Sequence, residues 1–216
     1  MVKDYPFQSN KVITQCISEP TFNAFFVGFD LTREGGLDYR WRDLINVLQN
    51  VVLEFALGYI DEMDHTKAAE MLCDAAKSIY KIEEFKEVRE IYENGGFIED
   101  TDIEKKYLKR GEFGELILHL LLRDYHTTIP LISKIYFKDS FGHTVHGFDA
   151  IHVEPNSKTL WLGESKLYSN GKEGVRALID DIKDHIEYDY LNDEFAIISK
   201  KVKGITNIPD KPYWID

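Results

Sequence analysis

The feature that most constrains this chain is a hairpin written into residues 148–167. Phe148-Asp149-Ala150-Ile151 reads as one strand and Leu162-Gly163-Glu164-Ser165-Lys166-Leu167 as the next, with the turn-forming residues Pro155-Asn156-Ser157-Lys158 between them. A turn centred between Asn156 and Ser157 sets Asp149 opposite Glu164. Opposed side chains of an antiparallel pair have Cβ atoms about 4.5–5.5 Å apart, and two like charges there are destabilising unless something neutralises them. A divalent cation would do so. Strand alternation puts Leu160, Leu162, Glu164 and Lys166 on one face, so Glu164 and Lys166 converge on the same place.

A helix is expected over residues 103–123, ahead of strands over 131–138, 144–154 and 159–168, a helix to about residue 190 and a last strand over 194–199. The order is α-β-β-β-α-β. Near the start of the first of these helices stands Arg110-Gly111-Glu112-Phe113-Gly114-Glu115-Leu116. Glu112 and Glu115 lie three apart on neighbouring positions of one face. Glu115 is preferred, being flanked by residues expected to pack on the sheet; the alternative is that both are acids stabilising a helix N-terminus. Phosphodiester hydrolysis needs charge neutralisation at the phosphate, an activated water and help for the departing oxygen. Carboxylates holding magnesium, with an ammonium beside them, meet those needs.

This arrangement resembles the PD-(D/E)xK nuclease superfamily, in which a helical glutamate, a strand aspartate and a Glu-x-Lys share a metal site. The matching residues are Glu115 (or Glu112), Asp149, Glu164 and Lys166, with Gly147-Phe148 in place of the usual proline before the aspartate. The resemblance implies catalytic residues Glu115, Asp149, Glu164 and Lys166, a metal site formed by Glu115, Asp149 and Glu164, and Mg2+ or Mn2+ as cofactor. The fold it implies is α/β (α+β), a restriction-endonuclease-like core with a mixed central sheet flanked by helices. The longer runs from Arg110 to Leu116, His146 to His152 and Leu160 to Tyr168 are similar to the HamA family, nuclease subunits of the bacterial Hachiman anti-phage system. That similarity, firm over residues 109–185, implies the helicase HamB as partner and DNA as substrate.

The first half carries no chemistry of its own. Strand-like runs at 11–17 and 22–29 form a hairpin. Helical periodicity follows over 39–57 (Trp41, Leu44, Ile45, Leu48, Val51, Val52, Phe55) and over 65–80, and its apolar stripes are read as core. A charged helix over 84–93 ends at Asn94-Gly95-Gly96, which gives the domain boundary: a mainly helical docking region over 1–100 and the nuclease core over 101–216. Cys16 and Cys73 are read as buried thiols, neither a disulfide framework nor a zinc spacing.

Lys and Arg number 26 against 38 Asp and Glu, a net charge of −12. Phosphate contacts supply most non-specific affinity for nucleic acid, so this chain is poorly equipped to capture DNA alone. A larger nucleic-acid-binding partner is therefore expected, with Tyr39 or Trp41 as candidate anchors. No run is long and apolar enough for a membrane span and no basic-then-apolar leader opens the chain, which points to a cytoplasmic protein. His143, His146 and His152 match no metal-ligand spacing, and Gly171 to Gly174 lacks a P-loop's lysine and hydroxyl. Among Lys172, Arg176 and Lys183, Arg176 is the preferred phosphate contact, against a solvated helix face. The competing function is a non-catalytic docking subunit that keeps a nuclease fold, although such a scaffold has no need for two opposed acids and a lysine.

Overall fold

In the computed structural model the 155–158 hairpin forms in the expected register. Strand β6 (Ala150–Glu154) pairs antiparallel with β7 (Thr159–Gly163), Ala150 opposite Gly163 and Glu154 opposite Thr159. The turn holds because Lys158 takes a left-handed backbone angle, φ 52°. The structure describes residues 5–59, 66–80, 112–133, 148–186, 188–204 and 210–215. The expected helix over 84–93, the Asn94-Gly95-Gly96 boundary, His143 and His146 lie outside them.

The chain opens with a 3-10 turn (Ser9–Lys11) and a hairpin of β1 (Ile13–Glu19) and β2 (Phe22–Val27), as the sequence predicts. Gly28 breaks the second apolar run, and a small hairpin of β3 (Phe29–Leu31) and β4 (Leu37–Tyr39) follows. Helices α1 (Trp41–Leu57) and α2 (Ala68–Tyr80) come next, then α3 (Glu112–His126). Strand β5 (Ile129–Ser133) completes a three-stranded sheet in the order β5-β6-β7. After the hairpin stand α4 (Gly171–His185), α5 (Tyr188–Gly204) and α6 (Lys211–Ile215). The described residues thus form a mixed α/β protein of small antiparallel sheets and helices. The expected mixed sheet does not occur among them: every strand pairing is antiparallel.

The expected strands depart from the structure at three places. Residues 194–199 are not a strand but lie within α5, where Leu191, Ile198 and Val202 recur at helical intervals and pack against the sheet. A six-residue apolar run fits either state, and tertiary packing decided it. The strand over 159–168 ends at Gly163, where a side-chain contact replaces the ladder, and the one expected from residue 144 is described only from Ala150, with Asp149 in a bend just before it. Cys16 and Cys73 are exposed free thiols rather than buried ones. The first sits where β1 shifts register against β2, and the second on an exposed face of α2.

One apolar core joins the first half to α3: Val12, Ile13, Leu44, Val47, Val51 and Phe55 pack with Leu116, Leu120 and Tyr125. Trp41 and Ile45, expected in that stripe, are 56% and 54% exposed instead. A second core sets Ile151 and Val153 against Ile198 and Val202 of α5, so α3 and α5 cover opposite faces of the sheet.

Between the cores runs a closed ring of buried polar groups. The Thr128 hydroxyl meets His152 Nδ1 at 2.8 Å, His152 Nε2 meets His119 Nδ1 at 3.2 Å, and His119 Nε2 meets Glu54 Oε1 at 3.2 Å. Arg123 then clasps both oxygens of Glu54, at 2.6 and 3.1 Å, and donates to the Thr128 carbonyl at 2.7 Å. An ionised carboxylate can only accept, so every proton is fixed: His119 donates to Glu54, His152 to His119, and Thr128 to His152. Burial works against the Glu54 charge, but the His119 hydrogen bond and Arg123 outweigh it and hold its pKa below the usual range. Burial also lowers the pKa of His119, and that of His152 further, with the neighbouring His119 and Arg123 each disfavouring a proton on His152.

Both imidazoles are therefore neutral in the fold and must take up protons on unfolding at acid pH. A depressed folded pKa gives stability that is present above the unfolded value, about 6.5, and lost as pH falls below it. The melting temperature should drop as pH is lowered from about 7.5 to 5.5. In His152→Gln, scanned by calorimetry, that slope should flatten; an unchanged slope would count against the neutral ring.

Candidate active site

Glycine sets how closely the parts of the site approach. A Cβ at Gly114, on the first turn of α3, would lie 3.1 Å from Ser165 Oγ and 3.7 Å from Leu167 Cβ, so the bare backbone there lets α3 close on residues 165–167. One turn on, Leu118 lies over Gly163, where an added Cβ would come within 2.9 Å of its side chain. Glu115 thus sits at the end of α3 that abuts the hairpin, 4% exposed. The side chain of Glu112 is outside the described residues.

Beyond Gly163 the ladder gives way to a side-chain contact. Asp149 Oδ2 accepts from the Ser165 amide at 2.9 Å and from its hydroxyl at 2.8 Å. That bond occupies the amide that would have continued β7, and it holds Asp149, 4% exposed, against the end of the strand. Glu164 stands beside it. Burial and then the nearby Asp149 charge push the Glu164 pKa above the usual carboxylate range, despite Lys166 and His185. The two acids are therefore neighbours, as the hairpin register requires.

Lys166 Nζ is 3.1 Å from Glu164 Oε1 and also contacts Asp181 Oδ2 on α4. Partial burial works against its ammonium, but the hydrogen bonds to Asp181 and Glu164 outweigh that and raise its pKa. Glu164 Oε2 is buried without a hydrogen-bond partner, 3.5 Å from His185 Nδ1. The His185 ring packs edge-on against Phe148, centroids 5.3 Å apart. Of the residues singled out in the sequence, Asp149, Glu164 and Lys166 come together, and Glu115 lies on the helix packed beside them. Arg176 and Lys172 are exposed on α4, and exposed Lys183 pairs with Asp180 at 3.2 Å. His152 belongs to the buried ring.

Asp181 and His185 escaped the sequence. They lie four apart, one turn of α4, on the side that faces the hairpin. α4 starts firmly: the Asn170 side chain caps it by accepting from the Lys172 amide at 3.1 Å, and its own amide group donates to Glu173 Oε1 at 3.2 Å. Gly174 then lets the helix approach Tyr168, to whose Cβ a side chain there would come within 3.2 Å. The helix is turned so that its apolar stripe, Val175, Ile179, Ile182 and Ile186, is 36–60% exposed.

A metal is tested by these donors. Among the described residues no three His, Cys, Asp or Glu side chains are grouped as a ready-made shell. Yet two hard carboxylate oxygen donors stand side by side, one with a buried oxygen lacking a hydrogen bond, and their mutual repulsion is what a divalent cation would relieve. The donor set fits magnesium or manganese. No described helix is long and apolar enough to cross a membrane.

Fold and site together define a mixed α/β protein with a paired-carboxylate and lysine centre at the end of an antiparallel hairpin. A family model, HamA, matches residues 6–215, nearly the whole chain. The chain belongs to the HamA family, which ties it to Hachiman defence. No curated protein and no solved structure matched it.

Proposed function

We propose that this chain is a metal-dependent nuclease with a PD-(D/E)xK core, cutting DNA phosphodiester bonds as the effector of a Hachiman complex with the helicase HamB. One observation carries it: Asp149, Glu164 and Lys166 meet at the end of one hairpin, with the Asp149 charge close enough to work against that of Glu164 and Lys166 Nζ 3.1 Å from Glu164 Oε1. Such an arrangement costs stability and has no structural use, since Ile151, Val153, Leu160 and Leu162 already hold the hairpin in its core. Asp149 and Glu164, with Glu115, would hold Mg2+ or Mn2+. The cation would neutralise the charge that builds on the phosphate during hydrolysis. Lys166 would set an ammonium beside the same phosphate, and the Ser165 bonds keep Asp149 oriented while this happens. The test is supercoiled and linear DNA incubated with the chain, alone and with HamB, in magnesium and in chelator. Magnesium-dependent cutting is expected with the helicase present, and intact DNA under every condition would overturn the proposal.

The partner accounts for a second set of observations. Phe26, Phe29, Tyr39 and Trp41 form a row with successive ring centroids 6.3, 5.8 and 5.5 Å apart, each residue 40–56% exposed. Exposed aromatic surface of this kind marks protein contacts, and aromatic anchors dominate their energy. With a net charge of −12 the chain needs a partner to grip DNA, so the row is proposed as the HamB dock. The double variant Tyr39→Ala, Trp41→Ala should abolish co-purification with HamB while leaving the melting temperature unchanged. Binding retained there but lost in Ile179→Asp would move the interface to the apolar stripe of α4.

A further inference from the structure

Lysine carries four rotatable side-chain bonds and a strongly hydrated ammonium, so a single carboxylate contact holds it only loosely against solvent. Lys166 is held twice. Its Nζ is shared between Glu164 Oε1, at 3.1 Å, and Asp181 of α4, so two acids on separate elements fix where the charge sits. Asp181 is itself 40% exposed and belongs to neither apolar core, so its place on the inward side of α4 is not explained by packing. The helix delivers it there through the Asn170–Glu173 cap and the close approach at Gly174.

We infer that Asp181 is a positioning residue: it holds the Lys166 ammonium beside Glu164 without letting it neutralise that carboxylate fully. The inference rests on the nuclease function proposed above. In that setting Glu164 remains able to bind a cation while Lys166 keeps a fixed place next to it. Without Asp181 the single contact to Glu164 no longer fixes the lysine, which swings into solvent and leaves the geometry that hydrolysis requires.

The test uses the full chain and two readouts. In metal-free protein, acetylation of Lys166 by acetic anhydride, followed by mass spectrometry, reports how firmly the ammonium is held. Asp181→Ala should raise that labelling severalfold and Asp181→Glu should keep it close to wild type. Asp180→Ala, which removes the neighbouring acid paired with Lys183, should leave it unchanged. In the helicase complex with magnesium, Asp181→Ala should lower kcat about tenfold or more with KM for DNA unchanged, as expected when a catalytic group is displaced. Its melting temperature should match wild type, and Asp181→Glu should recover most of the rate. Equal labelling of Lys166 in wild type and Asp181→Ala would overturn the inference. So would a kcat within about twofold of wild type, because a displaced group costs far more. A wild type that cuts no DNA while the labelling still responds would support the hold on Lys166 and overturn the nuclease proposal alone.

Discussion

Replacing Glu164 by Gln should lower DNA cleavage about 100-fold or more, the scale at which loss of one transition-state contact is felt, and at neutral pH the metal-free protein should become more stable. The second half of this expectation follows from the direction of the Glu164 pKa. Burial and the Asp149 charge raise it above the unfolded value, so the folded state disfavours the ionised carboxyl and the unfolded state does not. A raised folded pKa contributes stability that is complete at low pH and lost as pH rises through it. An amide of the same shape removes that loss, so the gain should appear at neutral pH and vanish below about pH 4. Lys166→Ala should lose cleavage to the same extent without gaining stability, since it deletes the charge that offsets the repulsion. Paired cleavage assays and melting curves separate the two. A Glu164→Gln protein that cuts normally, or melts well below wild type, would show that Glu164 is a structural acid.

Glu54→Ala should be the most destabilising single change in the first half. Its carboxylate is 7% exposed and satisfies both His119 and Arg123, and removing it strands a buried guanidinium and breaks the oriented chain through His152. Deleting one partner of a buried pair costs about 3–5 kcal/mol. For a chain of this size that is a fall of roughly 10 °C or more in melting temperature. Glu54→Gln should recover part of this, because an amide still accepts from His119, whereas Arg123→Lys should recover little against wild type because one ammonium cannot clasp both oxygens and reach the Thr128 carbonyl. Urea titration of the three variants would order them. A Glu54→Ala protein as stable as wild type would mean that Arg123 finds another partner.

What could be read from the sequence was whatever local chemistry decides. The hairpin register was legible because Pro155 to Lys158 fix the turn, and once the turn is fixed, the pairing of Asp149 with Glu164 is arithmetic. The end of β7 was not legible, because it depends on the Asp149 carboxylate taking the Ser165 amide, a contact outside any periodic pattern. Asp181 and His185 were hidden by a sound rule applied where it fails. An amphipathic helix is expected to bury its apolar stripe and wet its polar side. On α4 part of the polar side meets the hairpin while Val175, Ile179, Ile182 and Ile186 face outward, so Asp181 and His185, which that rule would send to solvent, stand beside Lys166 and Glu164. The segment 194–199 was misread because six apolar-rich residues carry no helical signature until Leu191 and Val202 are counted with them.

Helix α3 has 15 residues, which makes it a rod about 22 Å long. Toward its C-terminal end Asp124 takes the backbone amides of Phe7 and Ser9, at 3.0 and 2.9 Å, and Arg123 and His119 take Glu54 of α1. At its other end Glu115 lies beside Gly114, where Ser165 and the hairpin press against the helix. The rod is thus gripped by the first half at one end and carries an acid of the candidate site at the other. Leu116, next to Glu115, also packs into the core shared with Val12, Val51 and Phe55. The helix is thus a tie rod, fastened to the first half along its length, so that the first half and the position of Glu115 ride on one rigid element.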